Sequence, residues 1–215
     1  PEDEEHYGVV GLKIELLKSP QEINLDSYTR DSDTYIKNTI NTQTATLIYW
    51  QNKVLKDLPY DAKILEVWTG TWRDADYMES LGYTIQRTDA AESLISYNKQ
   101  RGKEISHYNI LTDRLTEQYD LIFANAVLIH LTHEQWQNAL KYRKEHLLPH
   151  GKISRSTQEG TWQERRESKW MKRCFYYRSA EEVEKVMKEL WYKNVDVRVD
   201  EPEPGRRRIR CIATL

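Results

Sequence analysis

The sequence has few cysteines, no long apolar run and no excess of either charge. Its two cysteines, Cys174 and Cys211, are far apart and lack the close spacing of a zinc site or a disulfide framework. No apolar stretch approaches the roughly 20 residues that span a bilayer. The acidic N-terminus lacks the basic start and apolar core of an export signal. These absences predict a cytoplasmic protein that does not insert into a membrane.

The charge balance disfavours a polyanionic partner. The formal net charge is -2 at pH 7, so no global field attracts nucleic acid or an anionic membrane surface. Two local clusters are basic, at residues 163–173 and 205–208. Acidic residues interleave the first, and the second is predicted at a hairpin tip, so solvated surface is the favoured interpretation of both. Nucleic acid is therefore a disfavoured partner.

Length and composition predict one domain. A chain of 215 residues with 39% hydrophobic residues is large enough to bury a core. We expect an N-terminal arm over residues 1–33, in which V-V-G-L-K-I-E-L-L is a short strand or an ordered arm. The domain is predicted to span residues 34–215. Its first part, residues 34–58, has apolar residues at mixed three- and four-residue spacing, which indicates a helical cover of one or two helices.

Beyond Pro59 strand-like and helix-like segments alternate, which predicts a parallel sheet. The predicted strands are Lys63–Val67, Thr84–Thr88, Ser106–Ile110, Tyr119–Asn125 and Lys152–Thr157, and the predicted helices are Asp74–Leu81, Ala91–Gln100, Thr132–Leu148 and Ala180–Leu190. The last two predicted strands, Val195–Val199 and Arg208–Ala213, are joined by E-P-E-P-G, and this turn-rich link favours an antiparallel hairpin.

The most informative segment reads I-L-E-V-W-T-G-T-W-R-D-A over residues 64–75. A strand that ends on Glu66 and turns through Thr and Gly into a helix presents amides to a ligand at the edge of a parallel sheet. A second predicted strand leads to Asp89, 23 positions after Glu66, whose carboxylate can accept hydrogen bonds from a ribose diol. Either carboxylate alone is better explained as a solvated strand end or a helix cap. The pair favours a nucleotide site.

The order of the motifs resembles class I S-adenosylmethionine-dependent methyltransferases. The motifs are E-V-W-T-G-T-W at 66–72, D-A at 89–90, D-L-I-F-A-N at 120–125, A-V-L-I-H-L at 126–131 and L-L-P-H-G-K at 147–152. S-T-Q-E-G-T-W followed by F-Y-Y-R-S resembles the small-molecule group of that superfamily. The resemblance implies an α/β, Rossmann-like, seven-stranded methyltransferase fold. Its sheet would be mostly parallel, with a C-terminal antiparallel hairpin and helices on both faces.

The resemblance also implies methyl transfer from S-adenosylmethionine to a small-molecule acceptor. Asp89 would bind the ribose hydroxyls, and Glu66 would meet the amino group of the cofactor through water. The implied cofactor-binding residues are Tyr35, Glu66, Trp68, Thr69, Gly70, Thr71, Asp89, Ala90, Asn109, Ile110, Asn125, Ala126 and Val127. His130 is the catalytic candidate, as a base or as a group that faces the acceptor. Methyl transfer needs mainly positioning, with a base only where the acceptor must lose a proton.

Two tryptophans depart from the family pattern E-x-G-x-G-x-G. Trp68 and Trp72 stand where glycine permits a positive φ or a close approach, and a side chain at such a position costs about 1–2 kcal/mol. Trp68 is expected to project near the methionine part and to weaken cofactor binding. An alternative function follows, namely a catalytically impaired or engineered methyltransferase-fold protein. Its cofactor site would be filled by Trp68 and Trp72, and it would act as a binding or scaffold protein.

Three further residues depart from the expected pattern. Trp191 follows a predicted helix where glycine commonly forms the cap. Arg143 and Arg155 interrupt an apolar helix face and an apolar strand, and an unpaired charge buried at either position would be costly.

Overall fold

The structure is a computed structural model that describes residues 18–39, 43–167 and 171–215. The predicted strand or arm V-V-G-L-K-I-E-L-L lies outside these residues. The strands are β1 (Ile64–Glu66), β2 (Ile85–Asp89), β3 (Ser106–His107), β4 (Tyr119–Asn125), β5 (Leu147–Gln158), β6 (Gln163–Glu167), β7 (Lys172–Tyr176), β8 (Lys193–Glu203) and β9 (Arg206–Thr214). The helices are α1 (Pro20–Arg30), α2 (Ser32–Asn38), α3 (Ala45–Leu55), α4 (Arg73–Ser80), α5 (Glu92–Gln100), α6 (His133–Lys144) and α7 (Ala180–Glu189).

A seven-stranded sheet in the order β3-β2-β1-β4-β5-β9-β8 forms the centre of the fold. Its first five strands are parallel, whereas β9 pairs antiparallel with both β5 and β8. The predicted α/β architecture, with its C-terminal hairpin, is therefore confirmed. Strands β6 and β7 form a separate two-stranded hairpin. No helix within the described ranges is long and apolar enough to cross a membrane.

Side chains that point alternately to the two faces of the central strands produce an apolar core on each face of the sheet. In β1, Ile64 packs into one core with Trp50 of α3, whereas Leu65 packs into the other with Trp136 of α6. Successive side chains of a strand point to opposite faces, so a strand buried on both faces is apolar throughout. This burial fixes the register, and it brings the carboxyl ends of β1, β2 and β4 to one edge.

Several predicted boundaries were wrong, and local pairing explains those of the third strand and of the helix before β5. The third strand ends at His107, because the backbone N–H of Asn109 donates to the Asp113 carboxylate at 2.8 Å and starts a turn. The helix predicted to reach Leu148 ends at Lys144, and Leu147 pairs instead with Tyr119 of β4. Sheet pairing thus overrides the helical pattern, and the P-H-G sequence at 149–151 falls in a bulge within β5.

Helix α1 lies within the segment that the sequence assigned to an arm. Its N-terminus has a complete capping box, in which the Ser19 side chain accepts from the Glu22 N–H and the Glu22 carboxylate accepts from the Ser19 N–H. Pro20 occupies the first helical position, where a missing N–H costs nothing. The motif S-P-Q-E was the sequence signal for this helix. The division into an arm of residues 1–33 and a domain of residues 34–215 stays a prediction.

The end of α7 provides a test of backbone strain. Trp191 has φ 61°, and its side chain is 80% exposed, so the indole contributes little packing. We expect Trp191→Gly to raise the free energy of unfolding by about 1 kcal/mol, because glycine adopts this conformation without the Cβ penalty. Urea unfolding of both chains measures the change. A decrease in stability would contradict the assignment of strain to this residue.

Candidate functional site

A cavity of about 600 Å³ lies at the carboxyl ends of β1, β2 and β4, with α1 and β7 on its far side. This size lies within the range of about 300–1,000 Å³ that is common for small-molecule sites. All but one of the predicted site residues line the cavity, namely Tyr35, Glu66, Trp68, Thr69, Gly70, Thr71, Asp89, Ala90, Asn109, Asn125, Ala126, Val127 and His130. Ile110 is the exception. It is buried in the core, where its carbonyl accepts from Arg143 Nη2 at 3.0 Å.

Asp89 ends β2 as a buried carboxylate with two backbone donors. The Gly70 N–H donates to its Oδ2 at 2.9 Å, and the Ala91 N–H donates to its Oδ1 at 3.0 Å. Burial raises the pKa of Asp89 to about 6, although these donors oppose the rise. The carboxylate is 4% exposed, so it is neither a solvated strand end nor a simple surface cap. It can accept further hydrogen bonds from a ligand that excludes water.

Glu66 is the second buried carboxylate, and its loop folds back on it. Its Oε2 accepts from the Thr69 hydroxyl at 2.7 Å. Burial, and then the neighbouring Asp74 carboxylate, raise the pKa of Glu66 well above its usual range. Gly70 follows at φ 59°, a conformation that favours glycine. The loop is thus held by a side chain at its base, and it presents its backbone to the cavity.

Asp74 is a cavity residue that the sequence analysis assigned only to a helix start. Its carboxylate accepts from Asn125 Nδ2 at 2.6 Å, from Gln51 Nε2 at 3.1 Å and from Arg73 Nε at 2.9 Å. The side-chain oxygen of Asn125, Oδ1, in turn accepts from the Ser156 hydroxyl. These contacts join the end of β4 to the first turn of α4. A carboxylate in the first turn of a helix was the available signal.

The two indoles in the loop point in different directions. Trp68, at φ 55°, lines the cavity and donates from Nε1 to the Tyr108 carbonyl at 3.2 Å. Trp72, at φ 89°, packs against Tyr97 of α5 with the ring centroids 5.1 Å apart and the planes tilted by 33°, and the Arg101 guanidinium lies 3.9 Å from its ring centroid. Trp72 is not part of the wall formed by the described residues. Both positions therefore have the backbone geometry of glycine, but of the two indoles only Trp68 narrows the cavity.

His130 lies on the 3₁₀ turn after β4, buried against the far wall. Its Nδ1 is 2.9 Å from the Cys174 carbonyl, and its Nε2 is 3.2 Å from the hydroxyl of Tyr28. Burial is the main reason that the pKa of His130 falls to about 4. The Cys174 carbonyl opposes the fall and the Arg173 guanidinium adds to it. His130 is therefore neutral at physiological pH and a weak base.

The wall opposite the loop consists largely of residues that the sequence analysis did not select. Helix α1 contributes Asn24 and Tyr28, and β7 contributes Arg173. Arg208 of β9 also lines the cavity, on the side of Arg73 and Asp74. Arg173 and Arg208 belong to the two basic clusters that the sequence pattern assigned to solvated surface, and that assignment was wrong for these two residues, because both line the cavity. The convergence of Tyr28 and Arg173 depends on how α1 packs against β7, which no local motif encodes.

Comparisons with known proteins agree with this geometry. The sequence profile of the family described as "Tellurite resistance protein TehB" matches residues 27–154. The probable S-adenosyl-L-methionine-dependent methyltransferase TehB of Haemophilus influenzae is 27% identical over 140 residues, which are 62% of this chain and 48% of that protein. The chain thus spans about half the length of this curated relative.

Two solved structures share the fold. The 1,6-didemethyltoxoflavin-N1-methyltransferase of Burkholderia thailandensis has a TM-score of 0.68 at 16% identity, over 92% of this chain and 91% of that one. TehB from Haemophilus influenzae has a TM-score of 0.58 at 19% identity, over 84% and 65%. The profile match covers more than half of the 215 residues. The chain therefore belongs to the TehB tellurite resistance protein family and has the class I S-adenosylmethionine-dependent methyltransferase fold.

Proposed function

We propose that this chain is an S-adenosylmethionine-dependent methyltransferase that acts on a small-molecule acceptor. One observation carries the proposal: the buried carboxylate of Asp89 and the loop 66–71 form one wall of a cavity that continues to a second, differently charged wall. The relative from Haemophilus influenzae is named as a probable enzyme of this kind. The same proposal includes a cytoplasmic location and a substrate that is neither a nucleic acid nor part of a membrane.

The donor set suits the cofactor. Asp89 would hold the ribose hydroxyls, Glu66 and the loop Thr69–Thr71 would hold the methionine part, and Ala90 and Asn109 would flank the adenine. When bound, S-adenosylmethionine supplies an electrophilic methyl group on a sulfonium. The Asp89 carboxylate lies on this side of the cavity and favours a ligand with positive charge, whereas Asp74 is already paired with Arg73 and the raised pKa of Glu66 favours its protonated form.

The other side of the cavity suits an anionic acceptor. Arg173 lines it, and its Nε has no hydrogen-bond partner among the described residues; Arg208 also lines the cavity, but it lies closer to Arg73 and Asp74. The Thr157 hydroxyl, on the same wall, is buried and likewise lacks a partner within the described ranges. Guanidinium groups pair well with oxyanions and carboxylates. Tellurite, which appears in the name of the family, is an oxyanion and is the first acceptor to test.

The alternative, a cofactor site filled by tryptophan, rests on Trp68 alone. Its indole lies in the cavity wall and is held by the Tyr108 carbonyl. A protein of this kind would keep the fold and bind other molecules through the remaining cavity. Calorimetric titration with S-adenosylhomocysteine separates the two functions, because micromolar binding requires an open site. Transfer of a labelled methyl group to tellurite then tests the acceptor.

Asp89 makes the proposed binding dependent on pH. Its pKa of about 6 means that the carboxylate takes up a proton as the pH falls through that value. Ribose hydroxyls donate to the ionised form more strongly, so affinity is expected to be constant above pH 7 and to fall about tenfold by pH 5. Titrations with S-adenosylhomocysteine at pH 5.0 and 7.5 measure this change.

The matched control is Asp89→Asn, which keeps the shape of the side chain and removes the titration. We expect its affinity at pH 7.5 to be about tenfold below that of the unchanged chain, and to vary little with pH. An Asp89→Asn variant with the original pH dependence would assign that dependence to another group.

A further inference from the structure

Helix α1 is fastened to the edge of β7 by two side chains, Asn24 and Ser27, and the Ser27 hydroxyl accepts from the Lys172 N–H at 3.2 Å. Asn24 Oδ1 accepts from the Cys174 N–H at 2.7 Å, and Asn24 Nδ2 donates to the Cys174 carbonyl at 3.2 Å, so the amide replaces a neighbouring strand. Tyr28 lies one helical turn after Asn24 and therefore on the same face. The contacts between α1 and β7 place the phenol of Tyr28 in the cavity wall, between His130 and Arg173.

The hydrogen bonds of His130 define its tautomer. A carbonyl oxygen only accepts, so the contact with the Cys174 carbonyl requires a proton on Nδ1. In the neutral ring Nε2 is then a bare acceptor, and the Tyr28 hydroxyl, 3.2 Å away, must donate to it. The proton of the Tyr28 hydroxyl therefore points at His130. The lone pairs of that oxygen are left for other donors, and Arg173 Nη1 lies 3.5 Å from it.

The surroundings oppose a proton on His130 Nε2. Tyr28 of α1, Arg173 and Phe175 of β7 and Trp68 of the loop surround the ring, and the charged group among them is a cation. A proton taken from the acceptor by way of Tyr28 would therefore be held poorly at His130. The geometry suits an acceptor that arrives without a proton to lose.

We propose that Tyr28 is the residue that positions the methyl acceptor, and that His130 acts only through Tyr28, by turning the phenol oxygen and its lone pairs toward the cavity beside Arg173. The proposal rests on methyl transfer as the function. It assigns His130 a positioning role in place of the basic role considered from the sequence. Tyr28 and Arg173 would together fix one oxygen-bearing acceptor, with the arginine as donor and the phenol as hydrogen-bond acceptor to any remaining O–H.

Nitrogen NMR of ¹⁵N-histidine-labelled protein tests the orientation without any turnover. With His130→Gln used for assignment, we expect a neutral ring with its proton on Nδ1 from pH 8 down to pH 5. Tyr28→Phe removes the donor to Nε2, so the pKa of His130 should rise by about one unit. An Nε2–H tautomer, or an imidazolium at pH 6 in the unchanged chain, would overturn the proposal.

Kinetics with tellurite as the acceptor probe then test the role. We expect Tyr28→Phe and His130→Gln each to lower kcat about tenfold and to leave the affinity for S-adenosylhomocysteine within about twofold. The double variant is expected to be no slower than Tyr28→Phe alone, because His130 acts through Tyr28. Losses that multiply in the double variant, or a pH limb near 6–7 that disappears in His130→Gln, would make His130 a base and refute the proposal. Absence of transfer to tellurite in every chain would refute that acceptor, while the NMR result decides the orientation.

Discussion

A Trp68→Gly variant is expected to bind S-adenosylhomocysteine about a hundredfold more tightly than the unchanged chain. The indole lines the cavity beside the cofactor loop, and its Nε1 donates to the Tyr108 carbonyl. A ligand that needs this space must displace the indole, which loses a hydrogen bond and part of its aromatic burial at a cost of about 3 kcal/mol. Glycine removes that cost, and it also suits the φ of 55°. Isothermal titration calorimetry measures the change.

Trp72→Gly is the matched control, because it makes the same substitution at the other left-handed position of the loop. Its indole packs against Tyr97 and lies under Arg101, away from the cavity. We therefore expect its affinity to stay within about twofold of the unchanged chain. An equal increase in affinity for S-adenosylhomocysteine in both variants would mean that relief of backbone strain controls binding. No gain in Trp68→Gly would mean that the indole already leaves room for the cofactor.

The sequence predicted the sheet well because strand burial and motif order are local or regular signals. Strand β4 was predicted over its full range, Tyr119–Asn125, since residues 121–124 are continuously apolar and the strand ends on Asn125. The positive φ at Trp68 and Trp72 followed from the positions of glycine in the family pattern. The direction of each indole did not follow, because it depends on neighbours such as Tyr108 and Tyr97 that are distant in sequence.

The far wall of the cavity could not be predicted for a related reason. Tyr28 and Arg173 meet because Asn24 binds the backbone of β7, a contact between residues 150 positions apart. Sequence patterns identify a helix by its caps and a strand by its period, but they do not identify which helix covers which edge. The same limit applies to buried charges, whose partners decide whether they stabilise or destabilise the fold.

An Arg155→Met variant is expected to raise the free energy of unfolding by about 3 kcal/mol, and thus the midpoint of thermal unfolding by roughly 6–12 °C. The guanidinium is 1% exposed, and none of its three nitrogens has a hydrogen-bond partner in the part of the chain that the structure describes. Stacking on the Trp136 ring, at 4.8 Å, compensates only in part. Burial lowers the pKa of Arg155 to about 10 from an ordinary 12.5, a difference equivalent to about 3 kcal/mol.

The sign of this effect follows from linkage. A cation whose pKa is lowered on folding destabilises the folded state at every pH below that lowered value, so the penalty is complete at pH 7. Methionine fills much of the same space without a charge to desolvate. Thermal and urea unfolding of both chains at pH 7 measure the gain.

Arg143→Met is the control that separates burial of a charge from lack of a partner. Arg143 is as deeply buried as Arg155, but it donates to the Ala139 carbonyl, the Tyr108 hydroxyl and the Ile110 carbonyl at 2.8–3.0 Å. Loss of the guanidinium leaves those oxygens without this donor, so we expect the free energy of unfolding to decrease by about 2 kcal/mol. Stabilisation by both substitutions would mean that burial of the charge alone sets the cost. Destabilisation by both would mean that Arg155 has a buried partner, such as an anion or an ordered water molecule, that compensates its charge.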